Sequence, residues 1–171
     1  MKVLWLVLGF LLVGRNLTAN VSLTIVQNVT VGTSSSSASV VVSTFDASGN
    51  TLAASIFTNY IRFFTQNSGV YGNPTDVAFT DTAIGQAEFS PAGTWIAVSG
   101  SSNNIYFLNP SGGVYTINQT FPQSKNIKSL AWANNGERLI VGLNDSSVVV
   151  LAYNRSNSQF YQSQAIVTVH T

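Results

Sequence analysis

The acid–base groups of the chain are few: Asp46, Asp76, Asp81, Glu88, Glu137, Asp145 and a single histidine, His170. A glycoside hydrolase needs two carboxyls facing each other across its substrate, and no spacing in this chain establishes such a pair. Asp46 and Asp145 fall in turns and Glu137 directly follows one, so solvated turn positions are expected for them. A Ser-His-Asp arrangement would depend on His170, one residue from the last, where termini fray, and it is rejected. With no cysteine, disulfides and thiolate metal sites are excluded. Gly112-Gly113 is no phosphate loop, because no helix follows it. No catalytic, cofactor-binding or metal-ligating residue is therefore assigned.

Other side chains could recognise rather than react. Tyr60 and Arg62 stand among apolar residues, where the expectation is a position at the rim of a sheet rather than a ligand contact. Trp95 is expected to be partly buried between structural units. Asn-x-Ser/Thr occurs at Asn16, Asn20, Asn28, Asn118, Asn144 and Asn154, only slightly more often than this composition would produce. In a secreted eukaryotic glycoprotein Asn118, Asn144 and Asn154 would be the N-glycosylation acceptors.

Composition narrows the class further. Charged residues make up 8% of the 171 and the net charge is +1, against about 25% charged residues in ordinary soluble domains. Ser, Thr and Asn take over the surface. Without a basic cluster, a nucleic-acid groove and electrostatic membrane binding are both excluded.

The elements that must position these residues form a repeat. Gly49, Gly93 and Gly136 are 44 and 43 positions apart. Four residues before them stand Phe45, Phe89 and Trp132; three after them stand Leu52, Ile96 and Leu139. Ile61, Ile105 and Val148 follow at twelve, then Phe63, Phe107 and Val150 at fourteen, and Val40, Ile84 and Ile127 precede each aromatic by five. Six columns in register over three copies exceed coincidence. Each copy predicts four short strands. The first covers Val40–Phe45, Ile84–Phe89 and Ile127–Trp132. The second covers Leu52–Ser55, Trp95–Val98 and Arg138–Val141. The third covers Tyr60–Phe64, Ile105–Leu108 and Val148–Leu151. The fourth is weakest in signal: Val70–Tyr71 or Val77–Phe79, then Val114–Thr120, then Phe160–Thr168. Ile96-Ala97-Val98, Leu139-Ile140-Val141 and Val148–Leu151 do not alternate, which predicts strands covered on both faces. Asn135-Gly136 is the strongest hairpin signal. A period of about 40–45 residues with four strands is the signature of propeller blades.

FSPAGTWIAVSG and WANNGERLIVGLNDSSVVVL resemble the WD40 repeat, and IYFLNPSGG resembles TolB-type propeller repeats; YVTN-type repeats belong to the same group. The resemblance covers about residues 40–168. It departs from the WD40 pattern where the turn Asp-Gly is Ser48-Gly49, Ala92-Gly93 and Asn135-Gly136. The closing Trp-Asp is replaced by Phe64-Thr65, Leu108-Asn109 and Leu151-Ala152, and the Gly-His pair is absent. It implies an all-β fold of three propeller blades, about 40–83, 84–126 and 127–171, forming an open partial propeller. In such propellers the residues before each first strand face the central channel, where metal-dependent lactonases gather ligands. Asp81 and Asn126 hold those places here.

Residues 1–19 read as a signal peptide: Lys2, an apolar run of 12 from Val3 to Gly14, then Arg15, too short for the roughly 20 residues of a spanning helix. Cleavage would follow Ala19 or Gly14, and an uncleaved anchor is the alternative. The expected location is secreted or extracellular, or periplasmic in a bacterium. Residues 20–39 hold a leading strand and a Ser-rich linker; in WD40 propellers such a strand completes the last blade. Three blades cannot close a ring of four to eight, so the expectation is a fragment, the N-terminal part of a longer propeller, or self-association through exposed blade faces. The expected function is an interaction module for a protein or glycan partner. The alternative is a propeller hydrolase, of lactonase or glycosidase type, whose catalytic residues lie in missing blades.

Overall fold

The computed structural model describes residues 27, 29, 40–56, 59–111 and 114–167. The expected signal peptide, most of the leading strand and linker, and His170 lie outside the described residues.

Twelve strands form three four-stranded antiparallel sheets, each a simple meander. The first holds β1 (Val40–Phe45), β2 (Thr51–Ile56), β3 (Tyr60–Asn67) and β4 (Val70–Ala78). The second holds β5 (Ile84–Phe89), β6 (Ile96–Gly100), β7 (Asn104–Ser111) and β8 (Val114–Pro122). The third holds β9 (Ile127–Trp132), β10 (Arg138–Leu143), β11 (Ser147–Asn154) and β12 (Gln159–Val167). The arrangement is open, and the first strands β1, β5 and β9 approach one another along its inner side.

The repeat glycines work as expected. Gly49, Gly93 and Gly136 have φ of +72°, +68° and +68°, a left-handed backbone that costs glycine nothing. Each N–H donates to a carbonyl three residues back, on Asp46, Ser90 and Ala133. In two copies a side chain at that position braces the turn: Asp46 Oδ1 accepts from Thr51 N at 2.9 Å and Ser90 Oγ accepts from Trp95 N at 3.0 Å. Ala133 has no such acceptor. Among the residues of the Asn135-Gly136 turn only the glycine is left-handed; the loop is wider than a two-residue hairpin, and Asn135 Oδ1 accepts from Glu137 N.

Two expectations need correction. The fourth strand of the first sheet is one strand, β4, not a choice between its halves. Asn73, at φ +48°, and a register shift opposite Phe63–Thr65 interrupt its pattern. Pro74 can be accommodated because β4 is an edge strand. Burial on both faces holds for β6, where Ile96 to Ser99 are all buried, but not for β10, which alternates. Ile140 is 43% exposed, because no further sheet covers that side among the described residues.

Two cores hold the stack together. Val42, Ala53, Ile61 and Phe63 of the first sheet meet Ile84, Phe89, Ile96, Val98 and Leu108 of the second. Ala97, Ile105 and Phe107 then meet Leu139, Val141, Val149, Leu151 and Phe160 of the third. The same aromatic contact recurs in both: Phe63 stacks on Tyr115 at 4.1 Å, and Phe107 on Phe160 at 3.8 Å. A smaller cluster, Leu52, Ala54 and Phe64, lies on the outer side of the first sheet, with Val29 and Tyr71 against it.

Candidate functional site

The carboxylates are the natural starting point, and most of them hold structure. Asp46 braces the first turn, accepting from Thr51 N and from Ser48 Oγ. Asp76 receives a two-pronged contact from Arg62, Nε to Oδ1 and Nη2 to Oδ2, both at 2.7 Å. The guanidinium holds the Asp76 carboxyl below its usual range, while burial opposes weakly. Arg62 also lies 5.6 Å from the centre of the Tyr60 ring. Arg62, expected with Tyr60 at the rim of a sheet, thus forms an ion pair with Asp76 between β3 and β4. Glu137 pairs with Arg155. Asp145 accepts from Ser147 N and Oγ in the turn between β10 and β11, and these bonds lower its pKa.

Asn126 lines a shallow groove between the second and third sheets, with Ile84, Gly85, Ser99, Asn103 and Lys128. Gly100 also lines that groove, and Asp81 lies directly behind it. Asp81 is 3% exposed, and its Oδ1 accepts from Ser102 N at 3.2 Å, tying the loop before β5 to the turn after β6. Its Oδ2 has no hydrogen-bond partner and packs against Gly100, where an added Cβ would lie 1.5 Å from it. Gly100 is therefore fixed by the carboxylate beside it. Asp81 sits where the repeat offers Ser124 and Lys125 in the next copy, so this carboxylate tie is not repeated in the third sheet.

Glu88 is the remaining acid. It is exposed on β5, and partial desolvation pushes its carboxyl above the ordinary value. Its backbone carbonyl accepts from Trp132 Nε1 at 2.9 Å. The described residues contain no group of three or more His, Asp or Glu that could hold a metal ion.

The aromatic residues pack between sheets. Trp95 is 8% exposed and lies 5.3 Å from both Tyr153 and Phe160. Trp132 is half-buried beside Phe107 and Phe160. Asn118 and Asn144 are exposed, whereas Asn154 is half-buried and its Oδ1 accepts from Ser156 N and Oγ.

Sequence reasoning missed a set of glutamines that join the sheets. Gln86 on β5 donates to Lys128 O at 2.6 Å and accepts from Leu130 N at 3.0 Å. Gln119 on β8 donates to Phe160 O at 2.8 Å and accepts from Phe160 N at 2.7 Å. Each carboxamide imitates a peptide group and satisfies a backbone donor and acceptor in the neighbouring sheet. The only signal in the sequence is a polar residue on an otherwise apolar interface.

No family's sequence model matches the chain, and no characterised protein matches it by sequence. Solved structures do resemble it. A candidate 6-phosphogluconolactonase from Bacteroides uniformis superimposes with a TM-score of 0.66 at 16% identity, covering 77% of this chain and 42% of that one. The periplasmic gluconolactonase of Pseudomonas aeruginosa gives 0.59 at 17% identity, covering 73% and 39%. The β-propeller domain of Cps50 (Swd1) from Myceliophteria thermophila gives 0.60 at 11% identity, covering 75% and 43%. The chain spans about two fifths of the length of these structures. Three meander sheets stacked face to face, the columns that lock them, and these likenesses agree: the chain folds as three consecutive β-propeller blades in an open arc.

Proposed function

We propose that this chain is a secreted interaction module, an arc of a larger propeller that presents its turns to a protein or glycan partner. The observation that carries the reading is how the carboxylates are used. Asp46, Asp76, Asp81, Glu137 and Asp145 each accept hydrogen bonds that brace a turn, an ion pair or a loop. None of these contacts joins two carboxylates, so none builds the facing acid pair that a hydrolase would need. The short apolar leader supports secretion.

The lactonase structures favour a second reading, a hydrolase whose reacting groups come from blades beyond these three. Glu88, with its raised pKa and open position, would be this chain's contribution to such a site. The two readings separate in one experiment. The purified secreted protein is incubated with gluconolactone and 6-phosphogluconolactone, and acid release is followed in a pH-stat. The interaction reading predicts no release above the buffer rate and saturable binding to a defined panel of extracellular glycans and proteins. Release that disappears in Glu88→Gln would overturn it in favour of the hydrolase.

A further inference from the structure

Two glutamines in this molecule make the same contact. Gln119 takes both backbone groups of Phe160 on β12. Gln27 takes both backbone groups of Tyr71 on β4, donating to Tyr71 O and accepting from Tyr71 N, each at 2.7 Å. The receivers match: each is the aromatic of a fourth strand, and each packs on the first-strand aromatic of its own sheet, Phe45–Tyr71 at 5.6 Å and Trp132–Phe160 at 5.8 Å. Gln119 belongs to the fourth strand of the blade before its receiver. Gln27 therefore occupies the place that the fourth strand of a preceding blade would take on the rear of the first sheet.

A third glutamine fits this column. Gln164 pairs with Val150 across β11 and β12 as Gln119 pairs with Phe107 across β7 and β8. Val150 and Phe107 are the same column of the repeat, so Gln164 stands on the forward face of the third sheet at the place of Gln119. Around it are Ile140, 43% exposed, Ile166, 44% exposed, and the half-buried Val148 and Val150. Ala97, Ile105 and Phe107, the counterparts of Ile140, Val148 and Val150, are 0% exposed beneath the third sheet. The chain thus carries both halves of a blade-to-blade contact: a forward face with Gln164, and a rear face with Tyr71, Leu52, Ala54 and Phe64, on which Gln27 and Val29 sit.

We propose that a second copy of this chain docks head to tail through these faces. Gln164 of one copy takes the Tyr71 backbone groups of the other, in the place of Gln27. Ile140, Val148 and Val150 then replace the cover that already holds Leu52, Ala54 and Phe64 at 3%, 1% and 4% exposure. This deepens the reading of the arc as part of a larger propeller, and its test needs no ligand, so it can fail while that reading stands. The glutamine contact is the one Gln119 already makes between the second and third sheets, and the scarcity of charge leaves little repulsion to oppose it. The contact joins different patches, so it either closes a ring or continues. Two arcs would supply six blades, within the four to eight of closed propellers. Gln27 and Val29 are then competitors: they hold the rear face until Gln164 displaces Gln27.

Sedimentation equilibrium over a wide concentration range tests this with the full secreted chain, Gln164→Ala, Val150→Asp and Gln27→Ala, tryptophan fluorescence reporting that each is folded. The expected result is concentration-dependent association, weakened about tenfold by Gln164→Ala, since one paired amide contact is of that size, and more by Val150→Asp. Gln27→Ala should strengthen it. Three results would overturn the proposal: a monomer at all concentrations for both the unaltered chain and Gln27→Ala, association indifferent to Gln164→Ala and Val150→Asp, or association weakened by Gln27→Ala. Gln164 is exposed, so its replacement leaves the fold intact even if Val150→Asp does not.

Discussion

The second and third sheets are built from the same columns and live in different surroundings. Ala97, Ile105 and Phe107 in one correspond to Ile140, Val148 and Val150 in the other. The first set is 0% exposed, while Ile140 is 43% exposed. The residue types scarcely differ in polarity, so the difference lies in what covers them. In a stacked-sheet architecture a strand's burial is set by its neighbour sheet as much as by its own sequence. Among the described residues the second sheet has a neighbouring sheet on each side and the third has one. β6 accordingly reads as buried throughout, and β10 alternates.

That contrast can be broken by substitution, and the largest effect comes from charge. Ala97→Asp places a carboxylate between two packed sheets and should unfold the chain, costing at least about 3–5 kcal/mol. Ile140→Asp should change stability by less than about 1 kcal/mol. Urea unfolding followed by tryptophan fluorescence checks both. Next in size is a cavity: Phe107→Ala removes the ring stacked on Phe160 and should cost about 3–5 kcal/mol, whereas Val150→Ala should cost less than about 1 kcal/mol. Equal losses in the two sheets would deny the difference in cover.

The interface glutamines sharpen the comparison at smaller scale. Gln119→Ala leaves Phe160 N and O without their partner and should cost about 1–3 kcal/mol. Gln164→Ala, measured on dilute chain, should cost nothing detectable. A double-mutant cycle between Gln119 and Phe160 is not interpretable, because the contact is to backbone; the single substitutions suffice.

The smallest effect concerns pH. Asp76 has its pKa lowered by Arg62, so the folded state binds the proton less readily than the unfolded state. The pair's contribution is present above the unfolded carboxyl's pKa of about 3.9 and fades as pH falls through the lower folded value. Asp76 is 42% exposed at its side chain, so the contribution is below about 1 kcal/mol. Asp76→Asn should lower stability at neutral pH and lose that difference at the acid end of a urea–pH series.

Much of this architecture was legible beforehand. The turn glycines marked the period because a left-handed backbone admits few other residues. The aromatic and aliphatic columns marked the faces, and all three first strands fall where the columns put them. What the sequence left hidden is equally physical. Gln27, Gln86 and Gln119 bond to backbone 41 to 44 residues away, and a glutamine in a sequence gives no sign of such a partner. Asp81 looked like a channel-facing acid because its place before β5 is fixed by the repeat; that it turns inward to Ser102 depends on the space left by Gly100. The two halves of β4 looked separate because Gly72-Asn73-Pro74 breaks the apolar pattern without ending the strand.

The chain has no cysteine, which allows one decisive measurement of the stacking itself. Cysteine is placed at Ala97 in one variant and at Ile140 in another, and the rate of labelling by a small thiol reagent is followed on dilute, folded protein. A face sealed between blades and its uncovered repeat counterpart should differ by at least about a hundredfold, with Ile140→Cys reacting near the rate of a free thiol and Ala97→Cys reacting only through opening. Similar rates at the two positions, or the faster rate at Ala97→Cys, would contradict an open arc with a sealed middle blade.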